Sequence, residues 1–136
     1  MKLLWFLLVA ILITACKKNK TNLSPLQGLW VEKSLRLDSI EFNNEFSTPA
    51  DNKFSLYLKS KPYIDTSQNR NFPITHSGIY SYYLEGEYIF LYSFYSSSTL
   101  YNKYDFKLSD DKQRFIIKRF YSRNSLPAFI EFERIK

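Results

Sequence analysis

From Gly28 onward, apolar and polar residues alternate in short bursts of period two, the pattern of strands that bury one face, and no stretch repeats at the 3.6-residue period of an amphipathic helix. The bursts predict eight strands, near Gly28–Leu37, Ser39–Phe42, Phe54–Ser60, Gly78–Tyr83, Glu87–Tyr95, Tyr101–Leu108, Arg114–Tyr121 and Ala128–Ile135. Residues with turn chemistry separate them, among them Asn43-Asn44, Pro49 to Asn52, Glu85-Gly86, Ser109 to Lys112 and Ser122 to Pro127. The second strand carries the weakest signal. Lys61 to Ser77 is the longest irregular connection, the kind that serves as a lid or binding loop. Eleven tyrosines and twelve phenylalanines add to the all-β reading. Eight strands joined mostly by short turns suit an antiparallel up-and-down meander that closes into a barrel and so removes its edges. The interior of such a barrel is either filled by side chains or holds one small ligand.

The N-terminus follows a different pattern. Lys2 precedes an uncharged apolar run from Leu3 to Thr14, then Ala15, Cys16 and the basic stretch Lys17-Lys18-Asn19-Lys20. A membrane span needs about 20 apolar residues, so this shorter run reads as a cleaved secretory signal peptide. Ile13-Thr14-Ala15-Cys16 resembles the lipobox of bacterial lipoproteins. That resemblance implies that Cys16 receives diacylglycerol and becomes the mature N-terminus, anchoring the protein in a membrane. The chain then divides into a signal peptide (1–15), a lipidated N-terminus and polar tether (16–26) and a barrel domain (27–136). With one cysteine in the chain, no intramolecular disulfide can form. Lys17 after the cysteine, where an aspartate would signal retention, resembles the default outer-membrane destination. The lack of an acidic cluster there favours the periplasmic face.

The formal charge of +6 is compatible with nucleic acid in general, but an exported envelope protein meets anionic headgroups and polysaccharides instead, so no nucleic-acid partner is expected. No catalytic, metal or cofactor site is expected either. His76 is the only histidine, which rules out a multi-histidine metal centre, and it reads as a loop residue. Asp110-Asp111 reads as a polar hairpin turn, and Glu131 and Glu133 as the wet side of the last strand. Three glycines leave no phosphate-cradling loop.

Gly28-Leu29-Trp30 opens the first strand and Arg134 lies in the last. This layout resembles the lipocalins and the small lipocalin-like lipoproteins of Gram-negative bacteria, in which a G-x-W motif opens the barrel and an arginine stacks over the tryptophan. The resemblance implies that Trp30 and Arg134 close one barrel end, and that the protein binds or shields a small hydrophobic or amphipathic ligand without catalysis. The second lipocalin motif has only a faint echo in Tyr101-Asn102-Lys103-Tyr104-Asp105.

The segment Gly78 to Tyr95 is an aromatic hairpin, and its turn decides which rings share a face. A three-residue loop Leu84-Glu85-Gly86 with Gly86 left-handed predicts Tyr82 opposite Tyr88 and Tyr80 opposite Phe90. Tyr80, Tyr82, Tyr88, Phe90, Tyr92 and Phe94 would then line one face, the candidate ligand site. The other face would carry Ser81, Tyr83, Ile89, Leu91 and Ser93. If instead Ile89 and Leu91 point inward, the tyrosines form an outer stripe suited to an envelope protein partner or a glycan surface.

Overall fold

The computed structural model describes residues 24–48, 53–65, 72–123 and 125–135. The expected signal peptide, Cys16 and the tether up to residue 23 lie outside the described residues. Eight antiparallel strands form one closed barrel in which each pairs with its neighbours in sequence and β1 closes on β8. They are β1 (Gly28–Glu32), β2 (Asp38–Thr48), β3 (Lys53–Ser60), β4 (Gly78–Glu85), β5 (Tyr88–Ser93), β6 (Asn102–Leu108), β7 (Arg114–Lys118) and β8 (Phe129–Arg134).

The two largest departures from the expected strand lengths, at β1 and β2, have identifiable reasons, while β5 and β7 are each three residues shorter than expected. β1 stops at Glu32 because that buried carboxylate turns back to accept the amides of Leu35 at 2.9 Å and Arg36 at 3.0 Å. Arg36 adopts a left-handed φ of 54° within the same turn. Burial alone would raise the Glu32 pKa, but the hydrogen bonds from Ser34, Leu35 and Arg36 outweigh it and hold it below its ordinary value. β2, the weakest by pattern, is instead the longest, because Asn43 continues the ladder opposite Ser55 and a register shift follows between Asn43 and Thr48.

Inside, the rings interlock. Trp30, Phe42, Phe115 and Phe132 are fully buried, with Trp30–Phe115 centroids at 4.8 Å, Phe42–Phe115 at 5.8 Å and Phe115–Phe132 at 5.0 Å. Tyr82 meets Phe42 edge-on at 5.1 Å. A second layer joins Tyr80, Tyr104 and Tyr121 around Phe120 at 5.5, 5.9 and 5.0 Å. Two layers of the interior are thus occupied by aromatic side chains in mutual contact.

Candidate functional site

The β4–β5 hairpin sets the chemistry of the barrel wall, and its register differs from the expected one. Glu85 pairs with Tyr88, Tyr83 with Phe90, Tyr82 with Leu91 and Tyr80 with Ser93. The loop is therefore the two residues Gly86-Glu87. Gly86 has φ +59° and no non-glycine residue of this turn has positive φ, the pattern of a II′ turn with glycine first. The three-residue loop was expected because a two-residue loop at Glu85-Gly86 would force a positive φ on glutamate. Moving the loop one residue along removes that conflict. The odd shift turns the faces of β5 over relative to β4.

The six candidate residues are consequently divided. Tyr80 and Tyr82 point inward with Leu84, Ile89 and Leu91, whereas Tyr88, Phe90 and Tyr92 lie on the outer face with Ser81 and Tyr83, and Phe94 follows in the exposed connection. Tyr80, Tyr82, Tyr88, Phe90, Tyr92 and Phe94 therefore do not share one face of the wall.

What forms instead is a chain of ring contacts on the outside. Tyr83 stacks on Phe90 at 4.6 Å with planes 5° apart, and meets Tyr101 at 5.2 Å. Tyr101 lies 5.7 Å from Tyr92, which is 5.6 Å from Phe94. The Ser81 and Tyr101 hydroxyls are 2.8 Å apart, and Lys53 and Lys103 hold their ammonium groups over Tyr101 and Tyr88 at 5.7 and 3.6 Å. Apart from the exposed Phe94, these rings are half-buried against one another, so the wall offers apolar area, phenolic hydroxyls and flanking positive charge.

One barrel end is closed by the segment before β1. Leu26 is fully buried there, and Trp30 Nε1 donates to its carbonyl at 2.7 Å. The Arg134 guanidinium lies 4.4 Å over the Trp30 ring and donates to the carbonyls of Gln27 at 3.1 Å and Pro25 at 2.8 Å. Tyr82 donates to Ser24 Oγ at 2.6 Å, and burial pushes its phenol well above the ordinary value. Ser24 to Leu26, read from sequence as the end of the tether, therefore belong to the barrel.

The opposite end holds a buried polar cluster that no sequence motif announces. Arg123 Nη2 donates to Asp38 Oδ1 and Ser60 Oγ, both at 2.9 Å, and to the Lys61 carbonyl at 2.5 Å, while Tyr121 donates to Asp38 Oδ2 at 2.8 Å. Burial, then the Asp38 charge, raises the Tyr121 phenol. Tyr63 lies 4.7 Å under the Arg123 guanidinium and bridges to Ile74, closing the 61–77 connection on itself. Its hydroxyl donates to the Ser122 carbonyl at 2.5 Å, and so accepts from His76 Nε2 at 3.0 Å. Burial, then the Arg123 charge, lowers the pKa of His76. The cluster is a clasp, with both Asp38 oxygens occupied and the two Nη2 hydrogens of Arg123 shared among three acceptors of the fold.

The other candidate acids also have structural partners. Asp111 Oδ1 accepts from Ser109 Oγ at 2.5 Å and from the Gln113 amide at 3.0 Å in the β6–β7 turn, and Glu131 and Glu133 pair with Lys33 and Arg36 on the barrel wall. No group of three metal-ligating side chains occurs among the described residues. Comparison with protein-family models, curated proteins and solved structures finds no match.

Proposed function

We propose that this chain is a non-catalytic, lipid-anchored protein of the cell envelope, whose barrel binds an envelope protein partner through the outer aromatic face of the β4–β5 hairpin. The observation that carries the reading is the continuous outer chain Tyr83, Phe90, Tyr101, Tyr92 and Phe94, with lysines at its margin. Tyrosine-rich, partly desolvated patches are the usual anchors of protein interfaces, because each ring supplies large contact area for little side-chain entropy. The remaining parts of the reading rest on sequence: the lipobox-like Ile13-Thr14-Ala15-Cys16 supports attachment at Cys16, and Lys17 supports an outer-membrane, periplasm-facing location. The test is photo-crosslinking in cells of the full chain carrying a benzophenone side chain at Phe90 or at Tyr92. A discrete crosslinked protein at both positions, missing with the same group at exposed Ile116 on β7, is the expected result; no hairpin-specific product would overturn the reading.

A second reading keeps the ligand role of the lipocalin resemblance. Tyr80, Tyr104 and Phe120 remain partly exposed where the interior approaches the clasp end, and burial raises both phenols. Native mass spectrometry of the detergent-extracted protein separates the two: a stoichiometric small lipid supports the second reading, its absence the first.

A further inference from the structure

The two barrel ends differ in chemistry. The connections 33–37, 61–77, 94–101 and 119–128 all emerge at the clasp end, while the segment before β1 and the turns Gly86-Glu87 and 109–113 lie at the closed end. Leu35, Ile64, Phe72, Tyr95 and Leu100 are exposed apolar residues on three of those clasp-end connections, with Tyr95 78% and Leu100 72% accessible. Among the described residues, Ile135 is the one exposed large apolar side chain at the closed end. Its hairpin turns instead carry Glu85, Glu87, Asp110 and Asp111 against Lys112.

We propose that the clasp end is a membrane-docking rim that seats its loop tips in the interface of an anionic bilayer. The tips stand on separate connections. A bilayer interface can cover separated apolar tips, whereas a protein partner would need a matching concavity for each. Charge agrees in sign: Lys61 and Arg119 stand among the tips, Arg119 donating to the carbonyls of Arg123 and Leu126, and the acidic turns of the closed end would be repelled by anionic headgroups. Reach agrees as well. The eight residue-to-residue steps from Cys16 to Ser24 span at most about 29 Å when extended. A tilted strand of eight residues such as β4 stands about 20 Å tall. A lipid at Cys16 therefore leaves enough chain to lay the far end of the barrel on the membrane; this reach argument rests on the proposed anchor, and the test does not.

The chain starting at Lys17, which contains the whole described barrel and its core, is floated with vesicles of phosphatidylethanolamine and phosphatidylglycerol, or of phosphatidylcholine alone. Wild type should float with the anionic vesicles and much less with phosphatidylcholine. Leu100→Asp and Tyr95→Asp should each lower partitioning at least about tenfold, the weight of one large apolar side chain. Ile135→Asp, the same chemical change at the other end, should float like wild type, and the Trp30 emission of each variant checks that the closed end is intact. Failure to float, equal loss with Ile135→Asp, or no loss with Leu100→Asp and Tyr95→Asp would overturn the rim. Phe90→Ser should float normally, so loss of the hairpin partner and loss of the rim are separate results.

Discussion

Arg123→Ala should be among the most damaging single substitutions in the barrel, although Arg123 lies outside every strand. Its side chain is 3% exposed and its partner Asp38 is fully buried, so removal leaves a carboxylate out of reach of solvent with the Tyr121 hydroxyl still donating to it. Breaking one side of a buried pair costs about 3–5 kcal/mol, against about 0–1 for an exposed pair such as Lys118–Asp105, whose side chains are half exposed. The lost bonds to Ser60 and the Lys61 carbonyl also free the start of the 61–77 connection. Urea unfolding followed by far-ultraviolet circular dichroism measures the effect. With a slope of about 1.5 kcal/mol per molar, the midpoint should fall by about 2–3 M. The double variant Arg123→Leu with Asp38→Leu should recover most of that loss, because an apolar pair carries no desolvation cost. A loss under about 1 kcal/mol for Arg123→Ala, at the level of a surface pair, would refute the buried clasp.

Further outcomes follow from the same geometry. Trp30→Ala should destabilise by about 3–5 kcal/mol and Trp30→Phe by about 1 kcal/mol, the latter reporting the bond to the Leu26 carbonyl, with thermal melts as the measure. Gly86→Val should cost about 1–2 kcal/mol through its left-handed backbone alone, since a Cβ there meets nothing within 4 Å; Gly86→Asn should recover part of it. His76 favours its neutral form when folded, so stability should decline as pH falls below about 6.5 towards the lowered folded pKa, and His76→Gln should remove that decline in urea midpoints measured across the window.

The strand count, the meander order and the closing pair of β1 with β8 were legible because alternation and turn residues act locally, and Gly28-Leu29-Trp30 with Arg134 marked one end. The hairpin register was not. Gly86 identified the turn but allowed loops differing by one residue, and each choice reverses the wall. Asn43-Asn44 has turn chemistry yet lies within β2, where pairing with β3 overrides local preference. Leu26 is a single apolar residue in a polar segment, so its burial leaves no periodic trace. Asp38 and Arg123 are 85 residues apart, and no local pattern couples them. Features made by pairing across the barrel were thus hidden, and those made within one strand or turn were visible.

Phe90 and Tyr92 face outward while Leu91 packs inside, and the proposed partner surface depends on that arrangement. Thiol alkylation tests it most directly. In the chain starting at Lys17, which has no native cysteine, Phe90→Cys, Leu91→Cys and Tyr92→Cys would each be labelled with a maleimide under native conditions. Labelling should be rapid at positions 90 and 92 and, at position 91, should proceed only at the rate of unfolding. Protected thiols at 90 and 92 with a reactive thiol at 91 would contradict it.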